Sequence, residues 1–507
     1  MGKGFAVALQ YVKRGTCPFS ALVGDDEIRC ACAKAAYRSQ ASVYTPITTI
    51  LTFLNQLLKP DGCCQRAVNE LIAERIAGDA PACSADTGGY CKARARIPEA
   101  VYRTLATRSG QLAEQQAEAD WLWYGHRVRI ADGSTLQLAD TQANRNEYPL
   151  QRNLKPGLHY PLVRILVLFS LATCTVLDAA LRPYQGKGTG ELAMLREMAE
   201  LFEPGDVLLA DRYFSGYWDV AFWRARGVHV VVRNSASRRS DFRRGRRLGK
   251  DDHLIEWKKT PQPDWIDASA ARNTPATLQL REVRIRVAVK GFRTREVIVI
   301  TSLTDAQAYP RSAIANLYQQ RWQAELNLRS LKTHLGMGHL HCKTPAMIRN
   351  EFMMYLLAYN AIRRVAAEAA RDAKSPPSQI SFQNTRQAIN AFFPSLPRVR
   401  NVLHWLKHLL HVVASVSVGH RPNRVEPYSC KTRAQEFPPP KEPRARYKRR
   451  KQKSSYQNFS AIQGQGEGFR KYERRTPYRY DVPRGVCQTI AADGAGTNLL
   501  AVCAEPR

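Results

Sequence analysis

The sequence has no stretch long and apolar enough to cross a bilayer. Its longest greasy run, Ile165 to Leu177, has 13 residues where about 20 are needed, and Arg164 stands directly before it. It reads as buried strand, and no membrane association is expected. The N-terminal MGKGFAVALQYVKRG is basic, but its apolar piece is short and interrupted by Gln10, no small-residue cleavage site follows, and Ala6 stands where myristoylation needs Ser or Thr. The 12 cysteines, seven of them before Lys92, lack the spacing of a structural zinc site. With no export signal they read as reduced thiols of a cytosolic protein, mostly small buried hydrophobes. Gly186-Lys187-Gly188-Thr189-Gly190 lacks the Lys-Ser/Thr pair of a phosphate-binding loop. Acidic residues are also scarce: 44 Asp and Glu stand against 76 Lys and Arg, a net charge of +32, which points to a polyanionic partner.

What is present suggests about three domains in 507 residues, and a hydrophobic fraction of 44% is too high for wholesale disorder. Ile47, Ile50, Leu51, Leu54, Leu57 and Leu58 follow helical spacing until Lys59-Pro60-Asp61-Gly62 breaks the run, and a second helix carries Val68, Leu71 and Ile72. A third is expected from Pro98 to about Glu114. Between them Asp86 to Arg96 reads as a glycine-containing loop with three cations, Lys92, Arg94 and Arg96, which is either a DNA contact or simply solvated. Residues 1–120 thus form a helical, candidate DNA-binding domain.

Beyond Trp121 strands are expected at Arg127–Leu138, Leu162–Cys174 and Thr175–Arg182, then helix Glu191–Phe202, strand Asp206–Asp211, helix Gly216–Arg226 and strand His229–Arg233. This α/β order suggests a ribonuclease H-like mixed sheet built from residues 121–234 and 296–340. Residues 235–295 interrupt it as a β-rich insertion. That segment opens with a basic run that includes Arg243 and Arg244, then alternates Val283, Ile285, Val287 and Val289 with Arg284 and Arg286 before the turn Lys290-Gly291-Phe292-Arg293, as a strand with one cationic face or a plain solvated edge would. A helical region over 341–430 includes a long helix capped by Thr344 and running to Ala373. Residues 431–507 form a tail whose stretch from Lys431 to Arg484 holds 16 basic and 5 acidic residues, expected to be disordered alone.

Candidate chemistry rests on three carboxylates. Asp132 lies inside the first core strand, and Asp211 follows the apolar run Val207 to Ala210, at the strand end where ligands of open α/β sheets collect. Each alone reads rather as a helix cap or turn former. On the helix expected from Pro310 to Leu335, Tyr318, Arg321, Glu325 and Lys332 fall within about 60° of one another, on a stripe bordering the apolar one formed by Leu317, Ala324, Leu328, Leu331 and Leu335. Three ionised carboxylates sharing a pocket would repel by about 4 kcal/mol per pair at 4 Å, so they require cations. Hard oxygen ligands favour Mg²⁺ or Mn²⁺, and two such ions can serve in-line phosphoryl transfer.

The spacing Tyr318-x2-Arg321-x3-Glu325-x6-Lys332 resembles the signature of DDE transposases of the insertion-sequence-four type. So do Ala131-Asp132-Gly133-Ser134, Ala210-Asp211-Arg212-Tyr213-Phe214, Cys342-Lys343-Thr344-Pro345, Tyr359-Asn360-Ala361-Ile362-Arg363, and the Thr87 to Pro98 segment. Asp132 and Asp211 are 79 residues apart, and 114 separate Asp211 from Glu325, room for the insertion that the family carries. The likeness covers about Ile47 to Pro440. It implies that Asp132, Asp211 and Glu325 are catalytic and bind two Mg²⁺ or Mn²⁺ ions. Tyr318, Arg321 and Lys332 would grip DNA phosphates, and Trp322, with Trp257 and Trp265 as further candidates, would stack on an extruded base; Arg94, Arg96, Arg243 and Arg244 would be further DNA contacts. The implied activity is cleavage of element ends and joining of 3′-hydroxyls to target DNA through a hairpin intermediate. The implied partners are double-stranded DNA and a second copy of the chain, in the nucleoid of a prokaryotic cytoplasm. Two other readings share these residues: a structure-selective nuclease that cuts without joining, and a DNA-binding protein that has lost catalysis.

Overall fold

The computed structural model of the chain describes residues 22–39, 43–150, 159–286 and 296–418, all within a unit spanning residues 1–441. Helices come first: α1 (Asp25–Lys34), α2 (Pro46–Leu58), α3 (Cys64–Ala77), α4 (Gly88–Arg96) and α5 (Glu99–Gln115). α2 begins where Thr45 accepts a hydrogen bond from the Thr48 amide at 3.2 Å and Pro46 presets the first turn. α4 corrects the loop expected over Asp86–Arg96. Its glycines open the helix rather than break it, and Tyr90, Ala93 and Arg94, at i, i+3 and i+4, turn one face inward. Pro98 stands just outside α5 instead of in its first turn.

The strand order follows: β1 (Val128–Leu138), a short α6 (Gln142–Glu147), β2 (Leu162–Ser170), β3 (Val176–Pro183), α7 (Glu191–Glu197), β4 (Val207–Ala210), α8 (Tyr217–Ala225) and β5 (His229–Arg233). β1, β2 and β3 form an antiparallel meander, while β4 pairs parallel with β1 and β5 parallel with β4. The later strands β6 (Arg246–Gly249), β7 (Asp252–Lys258), β8 (Thr277–Arg286) and β9 (Glu296–Thr301), with α9 (Ala268–Asn273) between β7 and β8, add to the same sheet. The order is β3-β2-β1-β4-β5-β9-β8-β7-β6, so β9 closes on β5 antiparallel and the insertion strands β8, β7 and β6 prolong the core sheet beyond it. The insertion's expected cationic face is exposed at Arg286 and partly neutralised by nearby acids. Arg284 reaches Asp251 at 3.4 Å and Glu296 at 3.9 Å, and Arg286 reaches the same two acids at 3.6 and 3.8 Å. Val287, Val289 and the Lys290–Arg293 turn lie outside the described residues, as do the N-terminal fifteen residues and the basic tail from Lys431 onward.

The remaining elements are α10 (Arg311–Gln319), α11 (Trp322–Arg329), a π-helical turn at Ser330–His334, β10 (His339–Leu340) beside β1, α12 (Pro345–Asp372), α13 (Phe382–Phe392) and α14 (Val402–Ala414). α12 starts at Thr344 as expected, but without a side-chain cap bond. Among the described residues no helix is long and apolar enough to cross a membrane. The described cysteines are free; Cys32 and Cys174 are buried, Cys63 is exposed and the rest are half-buried, so burial accounts for fewer of them than expected.

Strand alternation divides the apolar residues between two cores. Ile130, Ile165, Val167 and Leu209 face the layer of α10–α12, whereas Ala131, Leu166, Leu168 and Leu208 face α7 and α8. α12 is buried along most of its length and fastens the helical layer to β3 through one amide side chain. Asn360 Oδ1 accepts from the Val176 amide at 2.8 Å, while its Nδ2 donates to the carbonyls of Val176 at 2.9 Å and Ala106 at 3.0 Å. Gly110 permits this approach, since a Cβ there would lie 1.8 Å from the Val176 carbonyl oxygen. Asn360→Ala should therefore cost about 3 kcal/mol, because it strands buried backbone groups. Urea unfolding measures this, and a loss indistinguishable from zero would contradict the assignment.

Candidate active site

Two aspartates are brought together by strand register. Along the parallel pair β1/β4, Val128 faces Val207, Arg129 faces Leu208 and Ile130 faces Leu209. Carried two residues on, the same offset pairs position 132 with position 211, so Asp132 within β1 and Asp211 just past the end of β4 lie toward the same end of the two strands. Both are two positions beyond Ile130 and Leu209, so period-2 alternation turns them to the face that α10 and α11 cover.

The helix bearing Glu325 is not the continuous one expected. Near Arg321 the amides of Gln320, Arg321, Gln323 and Ala324 bond three residues back, to Leu317, Tyr318, Gln320 and Arg321, which overwinds the chain. From Ser330 it is underwound, and the Leu335 amide bonds five residues back to Ser330 at 3.0 Å. These opposite deviations partly cancel, so Arg321, Glu325 and Lys332 still share one face. That face and the two aspartates line a single cavity of about 500 Å³, together with Gly133, Ser134, Leu328, Arg329 and Thr333.

The polar groups are already engaged. Arg321 donates to Glu325 Oε1 at 2.6 Å, Lys332 Nζ donates to Ser134 Oγ at 2.9 Å, and the Gly133 amide donates to Asp132 Oδ1 at 3.1 Å. Burial pushes the Asp132 carboxyl up to about 6; Arg321 opposes that rise, and Glu325 and Glu191 add to it. Burial likewise lifts Tyr318 to about 12, with Arg321 opposing and Asp211 reinforcing. Burial works to lower the Arg321 pKa, but Glu325, Tyr318 and Asp211 outweigh it and raise the value. Lys332 is lowered by burial.

Sequence reasoning missed Glu191. This residue opens α7 on the opposite face of the sheet from Glu325, and a Cβ at Gly133 would lie 2.2 Å from its carboxyl carbon. The glycine next to Asp132 is the signal, because only a bare backbone leaves room for that carboxylate. Ser134, Arg329 and Thr333 were also not singled out; they become visible only once the helix is docked on β1.

The other expected contacts divide by exposure. Trp322 is 57% exposed and free to stack, and Trp265 is partly exposed with Arg196 3.8 Å above its ring. Trp257 is 6% exposed beneath Arg238, which removes it as a base-stacking residue. Arg243 and Arg244 are exposed, both near Asp241. Arg96 is exposed, but Arg94 is only 7% exposed, its guanidinium against Phe53 and Tyr90 at 4.6 and 4.7 Å. Arg94 is a core residue here, and its expected DNA contact is withdrawn.

Three carboxylates on one cavity wall are the donor chemistry of a hard divalent cation. Asp132, raised by burial beside like charges, is the group such an ion would relieve. Among the described residues, however, no three His, Cys, Asp or Glu side chains converge closely enough to cage an ion. Glu325 is bound to Arg321 instead.

Residues 123–361 match the family model described as transposase DDE domain. The chain is 27% identical over 300 residues to transposase InsG for insertion sequence element IS4 of Escherichia coli (strain K12), an alignment covering 58% of this chain and 64% of that protein, so it spans less than two thirds of that relative's length. Among solved structures, a cryo-EM structure of the piggyBac transposase synaptic complex with hairpin DNA superposes with a TM-score of 0.40 and 11% identity, covering 85% of this chain and 92% of that one.

The Asp132 environment fixes a pH dependence. With the folded value near 6 and the ordinary one at 3.8, the folded chain keeps the proton longer, so stability declines as pH rises between those values. Asp132→Asn should unfold at a higher temperature than the parent at pH 7.5 without divalent ions, and the gap should close near pH 4. A variant less stable than the parent at pH 7.5 would contradict this.

Proposed function

We propose that this chain, whose residues 123–361 match a transposase DDE domain model, is a transposase of the insertion-sequence-four type that cuts the ends of a mobile DNA element and joins the freed 3′-hydroxyls to target DNA. The observation that carries the reading is the placement of Asp132, Asp211 and Glu325 on one cavity wall, with Arg321 and Lys332 beside them. The meander of β1–β3 followed by parallel β4 and β5 supports a ribonuclease H-like core for residues 121–234 and 296–340.

Asp132, Asp211 and Glu325 would hold two Mg²⁺ or Mn²⁺ ions. When bound, these supply charge neutralisation for nucleophile and leaving oxygen in an in-line phosphoryl transfer. The chain's own residues set the substrate. Arg321 presents a planar fork suited to a phosphate, and a DNA phosphate taking Glu325's place on that guanidinium would free the carboxylate to share ions with the aspartates. Entry of DNA thus completes the site. Lys332, held at Ser134, would exchange the hydroxyl for a second phosphate oxygen. Tyr318, nearly buried beside Arg321 and outside the residues lining the cavity, stays protonated and would support Arg321. Trp322 would stack on a base turned out of the duplex, which suits a hairpin intermediate.

In the same proposal residues 1–120 bind the element ends, residues 235–295 guide the flanking strand with Arg243 and Arg244, residues 341–430 pair two copies across two ends, and the protein works in a prokaryotic cytoplasm.

Asp132→Asn, Asp211→Asn and Glu325→Gln should each lower end cleavage by roughly a thousandfold or more while end binding changes little, since they remove ion ligands and leave the phosphate contacts. Cleavage and strand transfer on labelled element ends read this out, and residual cutting by Asp211→Asn would overturn the assignment. Affinity for duplex DNA should also fall steeply with salt, as counterion release requires. A flat response, followed by fluorescence anisotropy, would contradict a basic DNA surface.

A further inference from the structure

α14 carries a stripe that the proposed DNA chemistry does not use. His404, His408 and His411 stand at i, i+4 and i+7, which places them within about 60° of one another on the helix. All three are exposed, and the His404 and His408 rings lie with centroids 4.3 Å apart at 71°. The opposite face, formed by Val402, Trp405, Leu406, Leu409, Leu410 and Val413, is buried, so the helix is anchored and cannot roll. Its first turn is fixed as well: Asn401 Oδ1 accepts from the His404 amide at 3.0 Å.

We propose that His404 and His408 form a binding site for one late first-row divalent ion, zinc, nickel or copper(II), whose remaining positions are filled by water. Two histidines one turn apart on a helix face reach a common ion, as in helical zinc sites. Imidazole nitrogen selects these metals over Mg²⁺ or Ca²⁺, which take oxygen ligands. The helix is already formed before the ion arrives, so little ordering opposes binding. Among the described residues no third His, Cys, Asp or Glu completes the set. The pair is therefore an open chelate. This site lies on a different element from the acids of the transposase domain and stands or falls separately from them.

The test uses the full chain in millimolar Mg²⁺, so that hard-ion sites are occupied, with Ni²⁺ titrated by calorimetry and the unfolding temperature followed in parallel. One equivalent should bind and raise the unfolding temperature. His404→Ala and His408→Ala, both at exposed positions, should keep the parent's circular dichroism and weaken that equivalent by about tenfold or more. His411→Ala should leave it nearly unchanged, and any ions bound by thiols are common to all variants. Equal binding by the parent and the His404→Ala and His408→Ala variants, or no binding by the parent, would overturn the proposal.

Discussion

The candidate site depends first on how β1 and β4 pair. A parallel ladder has a single offset, and here it is the one that separates Asp132 from Asp211 in sequence. A slip of one residue would send one aspartate to the opposite face of the sheet, into the apolar core around α7 and α8. The pairing is protected by what flanks it: Ile130 and Leu209 are fully buried on the side of the aspartates, and Leu208 and Ala131 are buried on the other. Hydrophobic burial therefore fixes the positions of two charges that are themselves unfavourable to bury.

Those charges define the state of the site. Asp132 is raised by burial and by the neighbouring carboxylates of Glu325 and Glu191, and Arg321 is the cation that offsets them. At 4 Å and an effective dielectric near 20, a pair of like charges costs about 4 kcal/mol, and Arg329 and Lys332 on the same cavity stand with Arg321 against the three acids. The Arg321–Glu325 bond also explains why the acids line one cavity without meeting at a point. In the proposed reading, a phosphate competing for Arg321 would complete the site.

Much of this was legible in the sequence, and the failures have physical causes. Strands β1 to β5 follow largely from apolar runs, and the stripe of Arg321, Glu325 and Lys332 follows from helical spacing. The tightened turn at Arg321 and the widened one after Ser330 were not legible, because they are docking adjustments with no Gly or Pro to mark them. α4 was hidden because Gly88 and Gly89 look like a loop, while its amphipathic face includes an arginine whose aromatic partner Phe53 is distant in sequence. The acids that partly neutralise the cationic strand face were hidden for a similar reason: Asp251 and Glu296, beside Arg284 and Arg286, come from neighbouring segments. Glu191 escaped because a carboxylate at a helix start ordinarily means no more than a favourable dipole contact.

The central claim is that the two in-register aspartates and Glu325 serve common divalent ions once DNA is bound. Anomalous scattering from Mn²⁺ in crystals of the chain with an element-end duplex measures this directly. The account predicts manganese between Asp132 and Asp211, at coordination distance from both, with Glu325 detached from Arg321 and ligating. Manganese bound elsewhere, or Glu325 still paired with Arg321 while DNA occupies the cavity, would contradict it.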